Sequence, residues 1–195
     1  MDVDFSIELG HDDPVLDFPW RDPAGKIAYF DLKRHPDLIA SIPETQEFPE
    51  LAEFLLKLNS ARSALESAKC DVWSTSELSP EEDIFAASHK IASYVDLVFS
   101  DTKKRMSFDL HQSLAKKLTE LLRRAPALRS AIEICLRRCF FLDKEMEKDK
   151  ENVREGFYFT VYTNGYGNDN AEAHRNWTVA LQLVGNALMQ LSSTR

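Results

Sequence analysis

A chain of 195 residues can bury a sizeable core and fits a single globular domain over residues 1–195; with 44% hydrophobic and 29% charged residues it lies outside the composition of disordered chains. A net charge of -8 argues against general affinity for nucleic acid or for an anionic membrane. Three cysteines and an acidic start, Met1-Asp2-Val3-Asp4, point to a cytoplasmic protein with neither a secretory signal nor a disulfide framework.

Phe5, Ile7 and Leu9 alternate with Asp4, Ser6 and Glu8, the period of a half-buried strand predicted over residues 3–9. His11-Asp12-Asp13-Pro14 ends it. Val15-Leu16-Asp17-Phe18 reads as a short extended piece, and Ile27, Tyr29 and Phe30 place a second strand over residues 26–32. Pro36, Pro43 and Pro49 mark a connector with a helical turn at residues 36–41.

From Pro49 the period becomes helical. Leu51, Phe54, Leu55, Leu58, Ala61 and Leu65 predict a helix over residues 49–69, and Cys70 to Ser76 reads as a connector anchored by Trp73. Ser79-Pro80-Glu81-Glu82 is a helix start, and Ile84, Ile91, Val95 and Val98 carry that helix to residue 99. Leu110, Leu114, Leu118, Leu121 and Leu122 form a third, capped at Ser107 and stopped before Pro126. A fourth uses Leu128, Ala131, Ile132, Cys135, Leu136 and Cys139. The mixed-charge run at residues 143–154 reads as a solvated extension.

Glu155-Gly156 opens an aromatic strand, Phe157-Tyr158-Phe159-Thr160-Val161-Tyr162. A loop at residues 164–170 then leads to a last helix that is uncharged from Asn176 to Thr194. Its polar groups Asn176, Gln182, Asn186 and Gln190 suit a buried helix of a globular protein, not a membrane span. The order implies an α+β fold: a small antiparallel sheet with strands from both chain ends, packed against a bundle of about five helices.

His174, Trp177, Leu181, Val184 and Leu188 share one face of the last helix, placing His174 at its mouth beside the loop. Tyr162, Tyr166, Asp169 and His174 are therefore the candidate ligand-binding residues, since an imidazole with a carboxylate nearby can move a proton or orient a ligand. The simpler alternative is that Asp169 or Asn170 caps the helix and His174 is a core histidine. The loop lacks a lysine followed by serine or threonine, and Gly165-Tyr166-Gly167 has no third glycine at dinucleotide spacing, so no nucleotide or other cofactor is expected.

Asp12, Asp13 and His35, with His11, Asp17 and Asp37 near them in sequence, are the candidate ligands for a hard cation, although Asp-Asp-Pro is also ordinary turn chemistry. Glu82, His89 and Asp96 recur every seven residues, about 10.5 Å along a helix, and read as a solvated stripe. Cys135 and Cys139, among Ile132, Leu136 and Phe140, read as metal-free core residues. Residues 1–31 carry eight acids and two bases, whereas residues 103–138 carry ten bases and three acids. The two segments are expected to sit near each other or to line solvated faces.

The chain has no nucleophile elbow, zinc-protease helix or kinase set. The leading expectation is a binding or interaction protein without catalytic activity, forming a homodimer through the last helix, where Val179, Leu183 and Ala187 add a second apolar side. The alternatives are a small hydrolase or isomerase with a pocket at Tyr166, Asp169 and His174, and an acidic inhibitor of a basic protein partner.

Overall fold

The computed structural model describes residues 1–20, 24, 29–78, 85–142 and 153–192. Six strands form one mixed sheet: β1 (Asp2–Glu8), β2 (Leu16–Phe18), β3 (Leu65–Thr75), β4 (His89–Phe99), β5 (Ser130–Leu142) and β6 (Val153–Gly167). The order is β1-β5-β6-β4-β3, with β2 beside β5 beyond the end of β1. Both β1 and β2 run parallel to β5, and all other pairings are antiparallel. Strands from both ends of the chain thus share the sheet, which is mixed and not antiparallel throughout.

Among the described residues, three substantial helices stand in place of the bundle of about five: α2 (Pro49–Leu58), α4 (Phe108–Leu122) and α5 (Asn170–Ser192), with short turns at Pro36–Ser41, α1 (Pro43–Glu47) and α3 (Thr102–Arg105). Two helix-strand-strand units, α2-β3-β4 and α4-β5-β6, meet through β4 and β6, and α5 packs against both of those strands and against α2 and α4. The core between helices and sheet contains Leu51, Leu55, Leu58, Val95, Leu97, Leu118, Ile134, Val161, Trp177 and Val184.

The helices that form carry local signals strong enough to act alone. Ser107 Oγ accepts the Leu110 amide at the start of α4, whose buried stripe includes His111, Leu114, Leu118 and Leu122. Asp169 caps α5 by accepting the Glu172 amide at 2.7 Å, and Glu172 in turn accepts the Asn168 amide at 2.8 Å. On α2, Pro49 opens the first turn and Asn59 closes the last.

Three predicted helical stretches are strand instead. The helix over 49–69 stops at Leu58, and residues from Leu65 onward enter β3, as does the expected connector through Thr75. His89–Phe99 and Ser130–Leu142 are β4 and β5. Most of β4 and β5 is buried on both faces, so their apolar runs are nearly continuous and period cannot separate them from buried helix, whereas β3 is buried over Leu65–Ala68 and mostly half-buried or exposed from Lys69 to Thr75. A spacing of four, as in Cys135 and Cys139, lies on one face in either geometry, and the β-branched Ile91, Val95, Val98, Ile132 and Ile134 favour strand. The Ser79-Pro80 helix start and residues 143–152 lie outside the described residues. So do residues 26–28 of the expected second strand, while Tyr29 to Leu32 lie outside the sheet, with the Tyr29 amide bonded to the Trp20 carbonyl at 2.9 Å.

The acidic first strand meets the basic segment at β5 and at the end of α4. Glu8 accepts Arg137 Nε at 2.6 Å, and Asp4 lies 3.9 Å from Arg123. The apolar sides of α5 are covered by the protein's own sheet and helices; its exposed positions are Asn170, Ala171, Arg175, Val179, Gln182, Asn186 and Gln190, mostly polar. No described helix is long and apolar enough to cross a membrane.

Candidate functional site

The sheet separates the residues singled out at the mouth of α5. Thr163, Gly165 and Gly167 face that helix: Trp177 Nε1 donates to Ser93 Oγ at 2.9 Å, Ser93 is paired with Thr163, and a methyl on either glycine would strike the helix backbone. By strand alternation Tyr162 and Tyr166 point to the opposite face. Tyr166 is buried against Phe85, 5.1 Å between ring centroids, whereas Asp169 is exposed as the α5 cap. His174 lies on the helical side, stacked on Trp177 with Phe48 edge-on. Its Nε2 stands 3.2 Å from Glu50 Oε1, close enough for an ion pair but without hydrogen-bond geometry. One cavity therefore does not collect the four.

The loop aspartates are similarly local. Asp13 accepts the Gly10 amide at 2.6 Å, and Asp12 and His35 are exposed. Among the described residues, the group of close potential metal donors is Glu8, Glu133 and Cys135, not Asp12, Asp13 and His35. Glu8 in that group is already paired with Arg137, and burial raises the Cys135 thiol to about 12, which disfavours the thiolate a metal requires. His89 and Asp96, expected on a helical stripe, occupy β4.

The sheet face away from the helices carries a connected polar network that the sequence did not assemble, although Tyr162 and Asp96 stood out in it separately. Arg137 donates to Glu8, to Thr160 Oγ1 at 2.8 Å and to the Tyr162 hydroxyl at 3.2 Å, and Thr160 donates to Asp96 Oδ1 at 2.6 Å. The register brings them together: Asp96 is opposite Thr160, and Tyr94 opposite Tyr162 with rings 6.0 Å apart. Burial pushes the Asp96 carboxyl up to about 6, opposed by the Thr160 hydrogen bond and by Lys69 and Arg137. The available signal was a lone acid within Val95-Asp96-Leu97-Val98-Phe99 and lone bases within Leu136-Arg137-Arg138-Cys139. A charge in an apolar strand must find partners on its own face.

Two cavities border β3. The smaller, about 470 Å³, is lined by Phe18, Tyr29, Asp31, Lys33, Glu66 and Arg105. Its cations are committed within the chain: Arg105 donates to Glu66 and to the Phe99 carbonyl, and Lys33 donates to the Ser63 and Leu65 carbonyls at 2.7 and 2.8 Å. This is a clamp joining the segment after β2 to the start of β3.

The larger cavity, about 530 Å³, is a groove along β3. Its apolar lining comes from Trp20, Phe30, Leu32, Ile42 and Leu55, and Glu44, Lys69 and Asp71 supply charge. Among the described residues β3 pairs only with β4, so its other edge faces this groove. Lys69 is drawn onto aromatic rings, its Nζ 4.9 Å from the centroid of Trp20 and 5.9 Å from that of Tyr94. Cys70 also lines the groove; burial, with Glu44 and Asp71 nearby, pushes its thiol up to about 12, so it is a poor nucleophile at neutral pH.

All three cysteines are free, Cys135 and Cys139 fully buried and Cys70 partly so. Maleimide treatment of the native protein, followed by intact mass, is expected to add at most one label, whereas the unfolded chain takes three. Two or more labels in the native state would contradict the packing of β5.

Comparison with protein-family models, curated proteins and solved structures finds no match to this chain.

Proposed function

We propose that the protein is a non-catalytic binding protein whose ligand occupies the groove beside β3. The observation that carries this reading is the groove itself: a concave, largely apolar space with a few polar groups at its rim. Among the described residues, catalytic groups do not converge there. Asp96 is 6% exposed and bonded to Thr160, Cys70 is held as a thiol, and His174 lies on α5 against Glu50. The acidic first strand meets Arg123 and Arg137 within the chain, which weakens the case for a basic partner at that end. Self-association through α5 has only Val179 as an exposed large apolar side chain on that helix.

Nile red, a neutral apolar dye, tests the groove without knowledge of the natural ligand. It is expected to bind at one site with enhanced fluorescence, and Ser41→Trp should block that site at least tenfold while leaving the melting temperature nearly unchanged, because Ser41 is exposed at the groove wall. Equal dye binding by the variant and the native protein would reject the groove as the binding site.

A further inference from the structure

We propose that the groove takes an extended segment of a partner protein, which adds as a strand to the outer edge of β3 and carries lysine or arginine opposite Glu44 and Asp71. This inference rests on the groove reading above and specifies its ligand.

Among the described residues, the edge of β3 is closed at one end and open further along. Near its start, the Ser67 amide is taken by Asn59 Oδ1 at 3.1 Å and the Leu65 carbonyl by Lys33 Nζ at 2.8 Å. Asn59 Nδ2 also donates to the Leu55 carbonyl and Ser67 Oγ, so this end is locked to α2. A register shift between Ser67 and Lys69 follows. Beyond it, the Val72 amide is taken by the carboxylate of its own neighbour Asp71, at 2.8 Å. That contact is local, and an incoming carbonyl can replace it without unfolding any element. An unpaired strand edge is a template for another extended chain, which gains main-chain hydrogen bonds along its length.

The groove lies against this edge at Ser67, Ala68, Lys69, Cys70 and Asp71. An added strand would present alternate side chains to opposite sides of the sheet. One set would enter the apolar side formed by Leu32, Ile42 and Leu55; the other would face Trp20 and Tyr94. Charge selects the partner further. Of the three charged groups in the lining, Lys69 already lies over the Trp20 ring, leaving Glu44 and Asp71 as the available charges. An acidic segment would meet two like charges, and a basic one two complementary charges.

The test is a selection from random eight-residue peptides against the immobilised protein, with Nile red binding measured in parallel. Selected peptides are expected to alternate apolar residues with lysine or arginine. Their affinity should fall at least tenfold on N-methylation of alternate amides, and at least fivefold in the double variant Glu44→Gln, Asp71→Asn. Both replacements are isosteric and keep an oxygen at Asp71 for the Val72 amide, so the fold is retained. Amide exchange at residues 70–74 should slow on binding.

Dye binding blocked by Ser41→Trp, but with no peptide selected, overturns strand addition while the groove reading stands. Selected peptides that are acidic, that tolerate N-methylation, or that ignore the double variant also overturn it. Failure of both dye and peptides at this site removes the groove reading and the inference together.

Discussion

Replacement of Gly165 by alanine is expected to destabilise the protein by about 3 kcal/mol, the upper part of the range for overpacking a closed interface. A Cβ at this position would lie 2.2 Å from the Trp177 nitrogen, 2.5 Å from the Ala173 carbonyl oxygen and 2.6 Å from the Trp177 Cα. These are backbone atoms, so no side-chain rotation relieves the contact and α5 must move away from β6. Movement of α5 would also disturb Trp177, which is fully buried and donates to Ser93 on β4. Gly185→Ala provides the comparison: its new Cβ would meet the Phe54 ring at 3.1 Å, a contact that a side chain can relieve by shifting slightly. Urea unfolding of the two variants measures the difference. Equal midpoints would show that α5 does not lie as close to β6 as these distances require.

Two buried titrating groups are expected to conceal each other's pH dependence. His111 is fully buried among Phe99, Phe157 and Phe159, with Nδ1 2.7 Å from the Ser107 carbonyl oxygen. Burial lowers its pKa to about 4 from the usual 6.5, partly offset by backbone hydrogen bonding. The unfolded chain therefore takes up this proton first as pH falls. His111 favours the fold fully above pH 6.5 and loses that contribution between 6.5 and 4, about 3 kcal/mol.

Asp96 runs the other way. Its folded pKa, about 6, lies above the ordinary 3.8, so the folded state holds the proton more tightly. Its contribution is fully present below pH 3.8 and lost as pH rises through 6, again about 3 kcal/mol. Between pH 4 and 6 the two slopes oppose each other. Asp96→Asn removes one of them while retaining an oxygen to accept from Thr160. The variant should lose about 3 kcal/mol more than the native protein between pH 6.5 and 4, read from urea midpoints at each pH, and His111→Leu should change the slope in the opposite direction. Because each variant is compared with the native chain, the remaining carboxylates largely cancel. Parallel stability curves for all three proteins would contradict these burial-driven shifts.

Local chemistry made several elements legible before any tertiary contact was known. Alternation in Asp2–Glu8, the Ser107 cap with its leucine stripe, and the aspartate cap of Asn170–Ser192 all encode their geometry within a dozen or so residues; the aromatic strand was also legible, although it runs on to Gly167 through part of the expected loop at 164–170. The opposite charges of the two chain segments left two arrangements open, proximity or separate solvated faces, and the β1–β5 pairing places Glu8 against Arg137. The α+β class followed from the same signals.

Only the tertiary structure decided β3, β4 and β5. A strand covered on both faces, as most of β4 and β5 is, has no polar alternation to display, and the neighbours of all three in the sheet supply the hydrogen bonds that make them strands rather than helices. The candidate groove was illegible for a related reason: it joins Trp20, Leu32, Ile42, Leu55, Lys69 and Tyr94, residues distributed over 75 positions and brought together by the β3–β4 register and the segment crossing beside it. Tyr162 and His174, close in sequence, ended on opposite sides of the sheet because a strand places successive side chains on alternate faces before the chain enters α5. Sequence proximity determined which residues could cap and turn; strand pairing determined which could share a site.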